Sequence, residues 1–269
     1  MTKKEWMIIL LLAIFGLALS VSFDLEISSL LYNQSNWLGR FGEAFGEFPG
    51  LFIGALSSAI LVLTRNKNAK QSTVSSSILG GLCWLILSIL AGVMPSYYLH
   101  LPLWTGLILS LIVLVITILL IRKIPVEHYS KIRNIAWVGL LTLVCSSLFV
   151  SLLKMGWSRV RFRDMGLSVS AFTPWYLPNG FLGNYKWASF PSGHVATATV
   201  IFVFTLLPTV LSSLKKYNKL ISIICYLWLI MVMLSRIIMG AHFLSDTIVG
   251  VLITLSLFQL FSNLLKVKK

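Results

Sequence analysis

The feature that most constrains this chain is a series of apolar stretches, each about long enough to cross a lipid bilayer. The uncharged segment Trp6–Phe23 opens the series. Runs at about Phe48–Thr64, Ser77–Met94, Pro102–Ile121, Asn134–Leu153, Ser192–Leu214, Leu220–Met239 and Thr247–Leu265 follow. In hydrocarbon no water satisfies backbone N–H and C=O groups, so a spanning segment must satisfy them internally. A helix of about 20 residues does this. Eight such stretches predict an all-α, polytopic transmembrane helix bundle, with Phe48–Thr64 short for a span and only a tight turn between Met94 and Pro102. Composition agrees, with 57% hydrophobic and 11% charged residues, against about 25% charge in ordinary soluble domains. The first stretch is longer than the apolar region of a signal peptide, and Ala18-Leu19-Ser20 only loosely resembles a cleavage site, so it reads as an uncleaved span. Cys83, Cys145 and Cys225 all lie inside apolar runs and read as buried thiols, not as a disulfide framework or metal cluster. No linker divides the chain, and residues 1–269 read as a single membrane domain.

A net charge of +14 would suit a nucleic-acid partner, but its distribution argues against one. Counted by alternating sides, 15 of the 22 Lys and Arg residues fall at one face, from Lys3 and Lys4 through Arg65, Arg122, Arg133 and Lys215 to Lys269. The positive-inside rule places that face, and both termini, in the cytoplasm of a plasma-membrane protein. Six of the remaining seven lie between Lys154 and Arg236, against the rule, and need another reason. The segment from Asp24 to Glu47 carries four acids and only Arg40 as a base. It is expected to lie along the membrane surface, anchored by Trp37, Phe41, Phe45 and Phe48.

Three clusters fall on the outer side of this topology. The first is Lys154 and Arg161, seven residues apart, which continued helix would bring to one face at 3.6 residues per turn. Arg159 and Arg163 add charge nearby, and a basic rim against lipid headgroups is the plainer reading of this cluster alone. The second is Ser189-Phe190-Pro191-Ser192-Gly193-His194 at the head of an apolar run. Pro191 suits a first helical turn, and a helix start with free donors attracts phosphate. The third is Ser235-Arg236 followed by His242 and Asp246, four residues apart and so neighbours on one helical face. There a carboxylate can accept one imidazole proton and leave the other nitrogen as nucleophile, although a His–Asp pair can also simply cap a helix. His100 and His128 lack such partners and read as loop or interfacial residues. Together the clusters offer three cations to hold a tetrahedral dianion and two histidines to divide attack from leaving-group protonation.

Lys154-x6-Arg161, Pro191-Ser192-Gly193-His194 and Ser235-Arg236-x5-His242-x3-Asp246 resemble the three-part signature of the type 2 phosphatidic acid phosphatase superfamily, matching ten fixed positions in order. Phe162 stands where the usual proline follows the first arginine. The resemblance implies a six-span core, with its catalytic part here at about residues 134–265. The five candidate spans before Lys154 exceed the usual three, which an added N-terminal hairpin or surface helices would explain. It also implies roles: His242 attacks phosphorus, Asp246 orients it, and His194 protonates the leaving oxygen and then activates water. Lys154, Arg161, Arg236, Ser192 and the Gly193 amide would bind phosphate, without a metal or other cofactor. The expected function is hydrolysis of a membrane lipid phosphate or diphosphate at the extracytoplasmic face. Undecaprenyl diphosphate stands slightly ahead of phosphatidylglycerophosphate or phosphatidate, since the motifs hold only the phosphate common to all. A phosphotransferase passing the same phosphohistidine to another acceptor is the alternative, although no separate acceptor domain is evident. A transporter would want charge in mid-span, which none of the eight runs shows. A vanadate haloperoxidase would be out of place in a membrane chain.

Overall fold

The computed structural model describes residues 3–64, 74–166, 168–181 and 187–267. Nine α-helices are described: α1 Lys3–Leu31, α2 Trp37–Phe45, α3 Phe48–Leu63, α4 Val74–Tyr98, α5 Leu103–Arg122, α6 Tyr129–Trp157, α7 Gly193–Thr199, α8 Asn218–Ile238 and α9 Leu244–Leu264. Among the described residues there is no strand, and seven helical segments are long and apolar enough to cross a membrane. The run from Ser192 is the exception. It forms α7 and then a 3-10 helix over Val200–Thr209, giving a shorter apolar segment, Gly193–Thr209. Hydroxyls line this helix and bond back to its own carbonyls, as Thr199 does to Val195 at 2.6 Å and Thr205 to Phe202 at 2.7 Å.

The N-terminal third differs most from the sequence expectation. α1 does not stop at Phe23 but continues to Leu31, so Asp24 is a helix residue and not part of a surface segment. The reason is a polar stripe at helical spacing: Ser20, Asp24 and Ser28 are all buried, while Leu11, Leu12 and Phe15 point outward. Residues four apart share a face, and here the lipid side is apolar and the protein side polar. Next, α2 and α3 form one bent crossing, a 27-residue apolar unit from Trp37 to Leu63. Asn36 starts it by accepting the Gly39 N–H at 3.1 Å, the usual N-cap bond. Trp37 stays exposed, as an interfacial anchor would, but Gly39, Gly42 and Ala44 are buried in the bundle.

α4 and α5 form the expected tight hairpin, with His100 left-handed at its tip (φ 53°). Trp84 donates to Thr117 at 3.0 Å and ties the pair together. At the opposite end of the bundle Arg133 donates to the Leu61 carbonyl at 2.8 Å, fixing α6 to α3. The core between α3, α6, α7 and α9 is apolar, built on Ile53, Val138, Val195, Phe202, Leu206 and Leu255. α3 and α7 approach very closely: a Cβ at Gly50 would sit 2.0 Å from the Thr197 carbonyl oxygen, so only glycine fits there. Counting α2 and α3 as one crossing, successive helices alternate in direction, and α4, α6 and α8 end where α5, α7 and α9 begin. That shared end carries the candidate site.

Candidate active site

Three local devices bring the signature residues together. Lys154 lies in the last turn of α6, which stops at Ser158 in the left-handed conformation (φ 43°). Arg161 is therefore extended (φ −75°, ψ 147°), not a continuation of the helix. The two cations meet because the chain turns back, and the Lys154 ammonium donates to the Ala188 carbonyl. Next, the segment before α7 is pinned by its backbone. Ser189 N–H donates to the Arg159 carbonyl at 3.0 Å, and Ser192 N–H to the Asp246 carbonyl at 2.9 Å. Pro191 follows a cis Phe190–Pro191 bond and lies outside the first turn, where the sequence had suggested it. Ser192 is the N-cap instead, its hydroxyl accepting from Val195 N–H at 3.4 Å, and the helix begins at Gly193. Finally, Arg236 lies in the last turn of α8, and Ala241 and His242 both donate backbone N–H to its carbonyl. Gly240 makes this turn with φ +60°, and a Cβ there would meet the Tyr32 ring at 2.6 Å.

The result is a cavity of about 610 Å³ lined by Lys154, Arg161, Gly193, His194, Arg236 and His242. Ser192 and Asp246 are fully buried and stand behind this wall. Arg236 donates through Nη2 to Glu43 Oε1 at 3.0 Å, while its Nε and Nη1 are buried without a hydrogen-bond partner. His194 Nε2 is likewise buried and unpartnered. Buried polar atoms are almost always hydrogen-bonded. Three unpartnered atoms beside one cavity therefore mark where an anionic ligand with several oxygens would fit. Among the described residues no group of three or more His, Cys, Asp or Glu side chains could hold a metal ion.

His242 is held differently from the i, i+4 expectation. Its Nδ1 lies 2.6 Å from the Ser189 carbonyl oxygen and 3.7 Å from Asp246 Oδ2, and the second distance is too long for a hydrogen bond. A carbonyl only accepts, so the proton sits on Nδ1, and Nε2 of the neutral ring keeps its lone pair. Burial is the main cause that pushes the His242 pKa down to about 3, helped by the charges of Lys154 and Arg236 and opposed by Asp246. The ring is thus neutral at ordinary pH. Asp246 fixes the surroundings of the ring: its Oδ2 accepts from Ser189 Oγ at 2.5 Å and from Phe243 N–H at 2.9 Å, and its Oδ1 from Arg159 at 2.6 Å.

Several residues at the site went unassigned by sequence reasoning. Glu43 bridges Arg236 and Arg163, the latter at 3.5 Å, and Glu47 Oε1 lies 3.6 Å from His194 Nδ1. Tyr98 meets the His194 ring edge-on at 5.3 Å between centroids. Glu43 and Glu47 are four apart with Phe45 between, a signal for one acidic helix face that the surface-segment reading absorbed. His100 is a loop residue, as expected, yet it also lines the cavity, whereas His128 lies in the turn before α6 at the far end. Lys186, counted among the outer cations, lies outside the described residues.

No curated protein and no solved structure matches the chain. Residues 135–268 match the family model described as the PAP2 superfamily, and every signature residue from Lys154 to Asp246 falls within that match. Over this C-terminal part the chain is similar to the PAP2 superfamily.

Proposed function

We propose that this protein is a membrane phosphatase that hydrolyses a lipid phosphate or diphosphate through a phosphohistidine on His242. The superfamily match supports phosphatase action on phosphate esters. The observation that carries the finer reading is the single cavity onto which Lys154, Arg161, Arg236, His194 and His242 all open. Neutral His242 offers its Nε2 lone pair to phosphorus, and the bond from phosphorus to the leaving oxygen breaks as the N–P bond forms. Burial and the Arg236 charge disfavour a charged His194 ring, and the anionic phosphate with Glu47 beside its Nδ1 offsets them. In the complex His194 is thus protonated and gives its Nε2 proton to the leaving oxygen. A water then loses a proton to His194, its oxygen attacks phosphorus, and the N–P bond breaks to release phosphate. Such general acid–base transfer contributes about 10²–10⁴-fold. Lys154, Arg161 and Arg236 neutralise the charge that develops on the phosphoryl oxygens.

Among the described residues, seven helical segments long and apolar enough to cross a membrane argue that the substrate is met in the bilayer. Its chains lie in the lipid while the headgroup reaches the cavity at the helix ends. Undecaprenyl diphosphate and phosphatidylglycerophosphate both present such a headgroup, and the first is preferred because its recycling requires an outward-facing phosphatase. The test is phosphate release by the purified protein against a panel of lipid phosphates, with EDTA present. Release from a lipid phosphate at several times the rate seen with water-soluble esters is the expected result. Equal rates on soluble esters would refute the lipid assignment.

A further inference from the structure

The first helix lies outside the segment matched to the superfamily, yet it sends a carboxylate to the back of the catalytic centre. Arg159 is almost completely buried and bridges two aspartates: Nη2 meets Asp24 Oδ2 at 2.9 Å and Nη1 meets Asp246 Oδ1 at 2.6 Å. Ser245 completes the unit. Its hydroxyl accepts from Arg159 Nη1 at 2.8 Å and donates to Asp24 Oδ2, and its N–H donates to Asp24 Oδ1 at 3.1 Å. The guanidinium is also stacked over the Phe243 ring, 4.1 Å from its centroid. An ionisable residue inside a spanning helix is costly and by default marks function. Asp24 calls for such an explanation, because Arg159 alone would neutralise Asp246.

We infer that Asp24 is a positioning residue for the reaction. Through Arg159 and Ser245 it leaves the buried cluster behind His242 with a net negative charge. The unit holds one guanidinium and two carboxylates. When His242 attacks phosphorus its ring becomes positive, and an uncompensated negative charge behind it favours that step over the ground state. With Asp24 neutral, Arg159 would cancel Asp246 and the ring would face a cluster of zero net charge. The phosphate-binding cations on the other side of the ring would be untouched. Asp24 thus acts on the chemical step and not on ground-state phosphate binding.

This rests on the phosphohistidine reading above, and the experiment separates the two. Single-turnover phosphoenzyme formation is followed on the full chain in detergent, because its first-order rate constant does not depend on how much of the preparation is folded. Asp24→Asn, nearly isosteric, should lower that constant by about tenfold or more, the loss expected for one buried charge in a medium of intermediate dielectric. Competitive inhibition by inorganic phosphate should be unchanged or tighter. Ser245→Ala, which removes only the bridging hydroxyl, should shift the constant in the same direction by a smaller factor and serves if Asp24→Asn fails to fold. Glu26→Gln, on the exposed face of the same helix, should match the wild type. Wild-type rate constants in both Asp24→Asn and Ser245→Ala would overturn the inference, as would a fall accompanied by an equal loss of phosphate affinity. Absence of any phosphoenzyme from the wild type, or its persistence in His242→Ala, would overturn the underlying reading and this inference with it.

Discussion

Replacing Arg236 with lysine isolates what a planar guanidinium does that a point charge cannot. Arg236 is 2% exposed, with Nη2 bonded to Glu43 Oε1 at 3.0 Å and Nε and Nη1 left unpartnered beside the cavity. Arginine can therefore keep Glu43 on one arm and offer a pair of donors to phosphate with the rest, the geometry that suits two oxygens of one anion. Lysine keeps the charge, but its single ammonium is drawn to Glu43, and at least one charge-assisted bond to phosphate is lost. A hydrogen bond to a charged group contributes about 1.5–3 kcal/mol, and each 1.36 kcal/mol is about tenfold in rate. Arg236→Lys should thus lower kcat/KM by roughly 10- to 150-fold. Vanadate inhibition should weaken in step, because vanadate adopts the five-coordinate geometry of the attacked phosphorus. The assay is initial phosphate release in detergent with a dispersed lipid phosphate, alongside a thermal melt. The melt should stay close to wild type because the Glu43 contact survives. Kinetics within twofold of wild type would show that Arg236 lies outside the phosphate-binding set.

Other outcomes follow from the same geometry. His242→Ala should abolish turnover and acid-labile phosphoenzyme, whereas His194→Ala should still trap phosphoenzyme from a substrate with a good leaving group; radiolabelled phosphate on denaturing gels reads both. Activity should survive EDTA, since the proposed phosphate cage consists of side chains and an amide, and loss restored by magnesium would refute this. Gly193→Ala should melt at or above the wild-type temperature, because the added Cβ would meet Val150 and Lys154 only at ordinary distances of 3.8 and 3.9 Å. Its kcat/KM should fall if phosphate approaches the Gly193 backbone. Single cysteines at Ser170 and Lys216, without the three native ones, should label differently with an impermeant thiol reagent: Ser170 in intact cells and Lys216 only after lysis. The reverse pattern would invert the topology.

The bundle was legible because the bilayer imposes one rule on every span, and uncharged runs near Ser77, Pro102 and Asn134 became α4, α5 and α6 with ends moved by a few residues. The signature residues were legible because their chemistry is carried by side-chain type and spacing. What stayed hidden depends on contacts between distant segments. Asp24 looked like the end of a span, since an acid after an apolar run usually meets water. Only the Ser20, Asp24, Ser28 spacing hinted at a buried polar face. The His242–Asp246 spacing correctly predicted proximity, yet the hydrogen bond to Nδ1 comes from the Ser189 carbonyl, which no side-chain pattern records. Likewise Lys154 and Arg161 meet through a left-handed stop at Ser158, a local conformation that serine does not announce.

The division of charge between the two parts of the chain has its own consequence. Lys154, Arg159, Arg161, Arg163 and Arg236 all lie in the segment matched to the superfamily, whereas Asp24, Glu43 and Glu47 all precede residue 48. The acids do two different jobs. Asp24 sits behind His242 and, on the inference above, makes the buried cluster more negative, while Glu43 and Glu47 stand at the cavity beside Arg236 and His194. Glu43 holds Arg236 at 3.0 Å and Arg163 at 3.5 Å, so it keeps two like-charged guanidiniums together before an anion arrives. Repulsion between cations in a low-dielectric pocket is otherwise severe. A cage of arginines and a lysine thus needs a permanent counter-charge on its rim, placed so that Nε and Nη1 of Arg236 remain available to the ligand. The bent crossing of α2 and α3 supplies this counter-charge, and α1 supplies the one behind the ring. A chain shortened to residues 135–268 would keep every signature residue, but it would leave Arg159 with one carboxylate in place of two and Arg236 without Glu43.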